Sequence, residues 1–178
     1  MAKMMAPNTR IDFIPDGGVA DPLKPTAAGL NAGTNLSPAI TTGFTLGFTD
    51  SDTDDSKSIE DEANVATPTR DNYEANLTFF LAPESEYSAD PVEIAYQEAE
   101  ALFGGDQHVE GWLVLRIGYK ADVDYAADQE VSLFRVISDI RRISSEDNAP
   151  IMMEVPFLAQ GQGVNNVPVV AGGGGGGG

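Results

Sequence analysis

With 178 residues, 28 acidic side chains against 10 basic ones and a formal charge of −18, the chain cannot hold DNA, RNA or an anionic membrane through a general surface. Such partners are bound by lysines and arginines that neutralise phosphates. The length suits one domain with appendages, burying roughly 70% of the unfolded surface, and the absence of cysteine removes disulfides, thiolate metal sites and cysteine nucleophiles.

The opening MAKMMAPNTR has no apolar signal region, and no run approaches the ~20 apolar residues of a membrane helix. The expectation is a protein made and kept in a cytosol, with no membrane partner. Residues 1–38 are rich in Pro, Gly, Asn and Ala and poor in period. A short strand is predicted over Arg10 to Pro15, with Ile11, Phe13 and Ile14 as its apolar group. An extended arm then runs through Pro22, Pro25 and Pro38, either disordered or ordered by a neighbour.

Ile40 to Thr49 alternates strictly, with Ile40, Thr42, Phe44, Leu46 and Phe48 on one face and small residues on the other. Asp50, Asp52, Asp54, Asp55, Glu60, Asp61 and Glu62 follow against Lys57 alone, a block too charged for a core and read as a loop or solvated hairpin. Tyr73 to Leu81 is the next strand. One helix is predicted over 90–103: Asp90 is an N-cap, Pro91 suits the first turn, Glu93 faces the helix N-terminus, and Gly104-Gly105 ends it. Its apolar stripe is Val92, Ala95, Tyr96, Ala99, Leu102 and Phe103.

Gly111 to Arg142 holds the strongest β pattern. In its first strand Leu113, Leu115, Ile117 and Tyr119 make a dry face, and Val114, Arg116, Gly118 and Lys120 a wet one. In its second, Val131 to Ser138, apolar residues fall on both sides, as in a central strand. A last strand is expected over Ile151 to Leu158, then a tail mobile beyond Pro168 whose seven glycines have no packing role. The domain reading is an arm over 1–38, a β domain over 39–160 and a flexible tail over 161–178.

No catalytic, cofactor-binding or metal residue stands out. Asp50, Asp52, Asp54 and Asp61 match calcium-loop positions 1, 3, 5 and 12, but Asp55 occupies the required glycine, position 12 lacks its glutamate, and the flanks are strands. Loose cation binding or a plain solvated loop are the remaining readings. His108 beside Asp106 and Glu110 lacks a nucleophile and reads as an exposed loop residue. Gly161-Gln162-Gly163 does not lead a strand into a helix and is no phosphate loop. Asn35-Leu36-Ser37 and Asn76-Leu77-Thr78 fit the glycosylation pattern without a secretory signal. Arg116, Arg135, Arg141 and Arg142 are the basic concentration, serving either local ion pairs or an inter-subunit contact with a neighbour's acidic loop.

In this order of elements, and in GYKADVDYAADQEVSLFRV followed by APIMMEVPFLAQGQGV, the chain resembles phage tail tube proteins, the major tail proteins of long-tailed, siphovirus-like phages. The resemblance covers most of the chain and is one of organisation. It implies a mainly β fold, a β-sandwich or rolled sheet with one flanking helix, assembling into hexameric rings whose inner strands form a barrel. Stacked rings make the tube through which genomic DNA leaves without specific binding. The implied partners are further copies of the chain, the tape measure protein and other tail proteins. The implied place is the virion tail, assembled in the host cytoplasm, with no enzymatic activity and no cofactor. A negative channel wall would repel phosphates, while ring stacking would rest on apolar patches and backbone pairing, with salt screening the charge. Capsid decoration proteins, tail terminators or connectors, and an acidic β-rich hydrolase are the rival readings.

Overall fold

In the computed structural model, residues 8–54, 67–81, 91–105, 108–145, 147 and 149–171 are described. The strands are β1 (Thr9–Pro15), β2 (Thr34–Asn35), β3 (Thr45–Asp54), β4 (Thr67–Phe80), β5 (Glu110–Ile117), β6 (Glu130–Ser138), β7 (Arg142–Ser144) and β8 (Met152–Pro168). All eight join one antiparallel sheet, in the order β2-β1-β5-β6-β8-β4-β3, with β7 attached to β8. Among the described residues two α-helices accompany them, α1 (Ala27–Asn31) and α2 (Pro91–Phe103), with a 3-10 turn at Ser37–Ala39. The fold is thus mainly β, and the ladder of this single chain is not closed.

The sheet is rolled, and its inner face is the larger core. Ile11 and Phe13 of β1, Leu113 of β5, Phe134 and Val136 of β6, Leu77 and Phe79 of β4, and Met153 and Val155 of β8 all point into it. Phe103 of α2 marks the curvature, because it touches Phe13, Phe79 and Phe157 at once. Those rings come from β1, β4 and β8, and β1 lies four places from β4 in the sheet order. The segment after β2 spans the gap: the Leu36 amide donates to Ile11 O and the Thr41 amide to Thr78 O. As predicted, α2 buries Ala95, Ala99 and Phe103, while Val92 is exposed because it lies at the first turn.

β6 is central and buried on both faces, as its pattern predicts. β5 differs from expectation. Its wet face is covered, with Trp112, Val114 and Arg116 all buried, and Ile117 and Tyr119 of the supposed dry face are exposed where the strand ends. The cover is a second, smaller core in which Ile14, Leu30, Trp112, Val114, Tyr125, Val131, Leu133 and Val169 pack together.

Two further corrections concern that cover. The stretch read as an extended arm after that first strand folds back on the sheet: Leu30 is buried in this smaller core and Leu36 in the larger one. The last strand does not stop at Leu158 but continues as β8 to Pro168, pairing with β6, and Val170 then accepts from the Ala27 amide. Residues 172–178 lie outside the described residues. β3 also starts later than expected, at Thr45, because Gly43 turns the chain with a φ of +95°.

Candidate assembly surface

The parity that fills the roll leaves the opposite face of three strands uncovered. In β4 and β8 the residues Tyr73, Ala75, Leu77, Phe79, Met153, Val155 and Phe157 point inward. Alternation therefore sends their neighbours outward. Thr45 lies opposite Asn76, Thr49 opposite Asn72, and Thr78 opposite Glu154. Glu74 and Glu154 are the charges these three strands place on this face between residues 72 and 158, and the Asn76 amide donates to Glu154 Oε1 at 2.9 Å. The result is a strip of sheet surface that is polar on β3 and β4, while on β8 Glu154 stands between the apolar Met152, Pro156 and Leu158.

The sheet also forks beside this strip. β4 pairs with β8 only from Ala75 to Phe80, whereas Thr67 to Glu74 pair with β3 alone. Residues 47–54 and 67–74 thus form a two-stranded ribbon. Its base is fastened by Phe48 and Tyr73, whose rings both pack on Phe134 with centroids 5.3 and 5.5 Å away. The Tyr73 hydroxyl enters the β6–β8 ladder where β8 bulges, accepting from the Gln160 amide at 2.9 Å and donating to Arg135 O. Gly161 makes that bulge with a φ of +73°, a conformation that favours glycine. Burial raises the Tyr73 pKa, against the neighbouring backbone amides, so the phenol stays a neutral donor.

The ribbon carries the acidic residues singled out in the sequence. Asp50 and Asp52 are exposed on β3, Asp54 lies at its end, and Asp55 and Asp61 fall outside the described residues. Asn72 Nδ2 donates to Asp52 Oδ1 at 3.1 Å and to Asp50 O at 3.2 Å, and Ser51 Oγ donates to Asp71 Oδ1. Extended strand spreads these carboxylates, and among the described residues no group of three acidic or histidine side chains is placed to hold a metal.

The basic residues do not form one patch. Arg135 pairs with Glu110 at 2.6 Å and Asp16 at 3.3 Å, and Arg141 pairs with Glu100 of α2 at 3.2 Å. Arg142 is exposed on β7. Arg116 is fully buried on the covered face. His108 is exposed, with Nδ1 2.8 Å from Ser138 O, while Glu110 is engaged by Arg135 and Asp106 lies outside the described residues. A depression of about 250 Å³ at one end of the roll is lined by Thr9, Ile11, Ser37, Ile40 and Phe44 among others, with no carboxylate, histidine or lysine.

Arg116 belongs to a buried network that the sequence pattern did not reveal. Its guanidinium donates to Lys120 O (2.9 Å), Val123 O (2.7 Å), Asp124 O (3.1 Å) and Gln129 Oε1 (2.9 Å). Arg10 Nε pairs with Asp12 at 2.8 Å, and Tyr125 donates its hydroxyl to the same Asp12 oxygen. Both guanidinium groups lie over the Tyr125 ring, 4.6 and 4.7 Å from its centroid. Burial raises Asp12 above its ordinary 3.8 against these donors, raises Tyr125, and lowers Arg116. The network fixes residues 118–129 to β1 and β5. The available signal was a lone arginine inside the apolar run Trp112 to Ile117, with Arg10 and Asp12 flanking Ile11 in another.

A family described as phage tail tube protein matches residues 1–172. No curated protein matches the chain. A chain in the cryo-EM structure of the anti-feeding prophage (AFP) baseplate, 6-fold symmetrised, superposes with a TM-score of 0.49 at 9% identity, over 93% of this chain and 97% of that one.

Proposed function

The chain belongs to the phage tail tube protein family, and we propose that it polymerises as stacked hexameric rings into a tail tube whose acidic bore lets DNA leave. The observation that carries this reading is the uncovered strip of β3, β4 and the first half of β8, which carries Glu74 and Glu154 and ends, among the described residues, in the unpaired outer edges of β3 and of β7. A soluble monomer gains nothing from leaving a sheet face and its margins unpaired, since open edges promote association. Edge-to-edge pairing around a ring would turn six such strips into one inner wall. Glu74 and Glu154 would then repeat around the bore and repel phosphates, so DNA slides without adhering.

The ribbon supports the same role. An isolated two-stranded hairpin is marginal in water, and this one has two unpaired margins beyond its base. Contact with an adjacent subunit supplies what it lacks. The copies share a charge of −18 each, so assembly requires apolar burial and backbone pairing and strengthens with salt, whose Debye length is about 8 Å at physiological strength. The tape measure protein and other tail proteins are the remaining partners, and assembly takes place in the host cytoplasm.

Negative-stain microscopy of the purified protein tests the reading. Long hollow filaments are expected. A monodisperse globule at high concentration overturns it, closed rings that never stack move the chain to a terminator role, and a solved bore lined by Lys and Arg removes the channel mechanism.

A further inference from the structure

Resting on the ring reading, we propose that subunits join head to tail through two particular margins: the outer edge of β7 in one copy and the outer edge of β3 in the next. Across the strip the order is β7-β8-β4-β3, with β8 residues Met152 to Glu154 between β7 and β4. The two margins therefore face away from each other, as a heterologous contact requires if it is to close into a ring. Among the described residues each has unpaired ladder positions: β7 pairs with β8 alone and β3 with β4 alone.

Their chemistry is complementary. β3, Thr45–Asp54, contains no lysine or arginine and exposes Asp50 and Asp52, with Phe44 and Phe48 about a third exposed beside them. β7 exposes Arg142, which stands opposite Glu154 of β8 in the ladder but is within ion-pair distance of no carboxylate among the described residues. Around it stand Ile140, Ile143 and Ile151, exposed at 54%, 53% and 53%. Charges on sheet edges ordinarily guard against pairing. Here they guard selectively: two β3 edges repel each other, while β3 and β7 attract. Like-charge exclusion with unlike-charge attraction sets the direction of assembly.

Charge exchange on the full-length chain tests this. Arg142→Glu and Asp50→Arg are each expected to slow filament growth at least tenfold by light scattering and microscopy. The combined R142E/D50R chain restores it to within threefold, because every contact then carries the pair reversed. Circular dichroism of the unassembled proteins confirms that each variant folds. If wild-type protein forms tubes and R142E forms them at the same rate, or if the reversed pair fails to restore growth, this contact is wrong and the tube reading stands. If wild-type protein forms no tubes at all, the tube reading falls and this contact falls with it.

Discussion

Replacing Arg116 by Met keeps the apolar stem of the side chain and removes the guanidinium, with its charge, from the centre of the covered face. Four acceptors lose a donor, but three of them keep another. Lys120 O retains the Val123 amide, Val123 O retains Arg10 and Gln129 Oε1 retains the Ala126 amide. Asp124 O alone loses the one donor seen for it. Breaking a buried charged set costs about 3–5 kcal/mol, and the retained donors place R116M at the lower end, about 3 kcal/mol. For a chain of this length that lowers Tm by about 6–12 °C. Thermal unfolding followed by circular dichroism, at a dilution that keeps the protein unassembled, measures the first effect. Hydrogen exchange measures the second, with amides of residues 118–129 exchanging faster while those of β5 and β6 hold until global unfolding. A loss below about 1 kcal/mol, or a gain, with exchange over 118–129 unchanged, would refute the claim that Arg116 pins this segment.

Phe103→Ala removes the ring shared by Phe13, Phe79 and Phe157 and should cost about 3–5 kcal/mol in chemical denaturation. Tyr73→Phe leaves Arg135 O and the Gln160 amide without their bridge; about 1–2 kcal/mol is expected, with faster exchange at the β8 bulge. Asp12 tests linkage. Burial, first among its causes, raises its folded pKa above 3.8, so the folded state holds the proton more tightly than the unfolded one. The contribution is fully present below 3.8 and is lost as pH rises through the raised folded value. The stability of wild type relative to Asp12→Asn should therefore increase on acidification through that window, and a difference independent of pH refutes the shift. In assembled tubes, Glu74→Lys with Glu154→Lys should convert a bore that excludes a fluorescent single-stranded oligonucleotide into one that retains it, in a salt-dependent manner.

The parts of the fold legible in the sequence are those where period and burial coincide. β4 from Tyr73, β6 throughout and the inward face of α2 alternate or repeat as their surroundings require. Elsewhere a partner distant in sequence overrode the local pattern. Arg116 sits at an outward position of β5, and only the arrival of residues 118–129 and of α1 converts that side into an interior. Within the arm read over 1–38, residues 16–38 show no sustained period because they pack as short pieces, α1 and β2 joined by turns, buried through Leu30 and Leu36 and pinned by single bonds such as Ser37 Oγ accepting from the Ile11 amide. Beyond Leu158, β8 contains Gly161, Gly163 and Asn166, residues of low strand propensity. They belong to a strand because β6 already offers a ladder, and the two bulges absorb what propensity opposes.

The same override explains why no local motif marks the uncovered face. A chain whose function lies in one concave site concentrates titratable groups there, and this chain instead buries its densest charged network out of solvent reach. That placement makes Arg10, Asp12 and Arg116 structural fasteners. They hold a cover over β1, β5, the first half of β6 and the far end of β8, and leave β3, β4 and β8 as far as Leu158 without it. Which half of the sheet is covered therefore decides which half can face another copy. On the proposed tube reading, the charge left on the bare half, two glutamates on its strip and a run of aspartates on its ribbon, then sets what such a wall would repel.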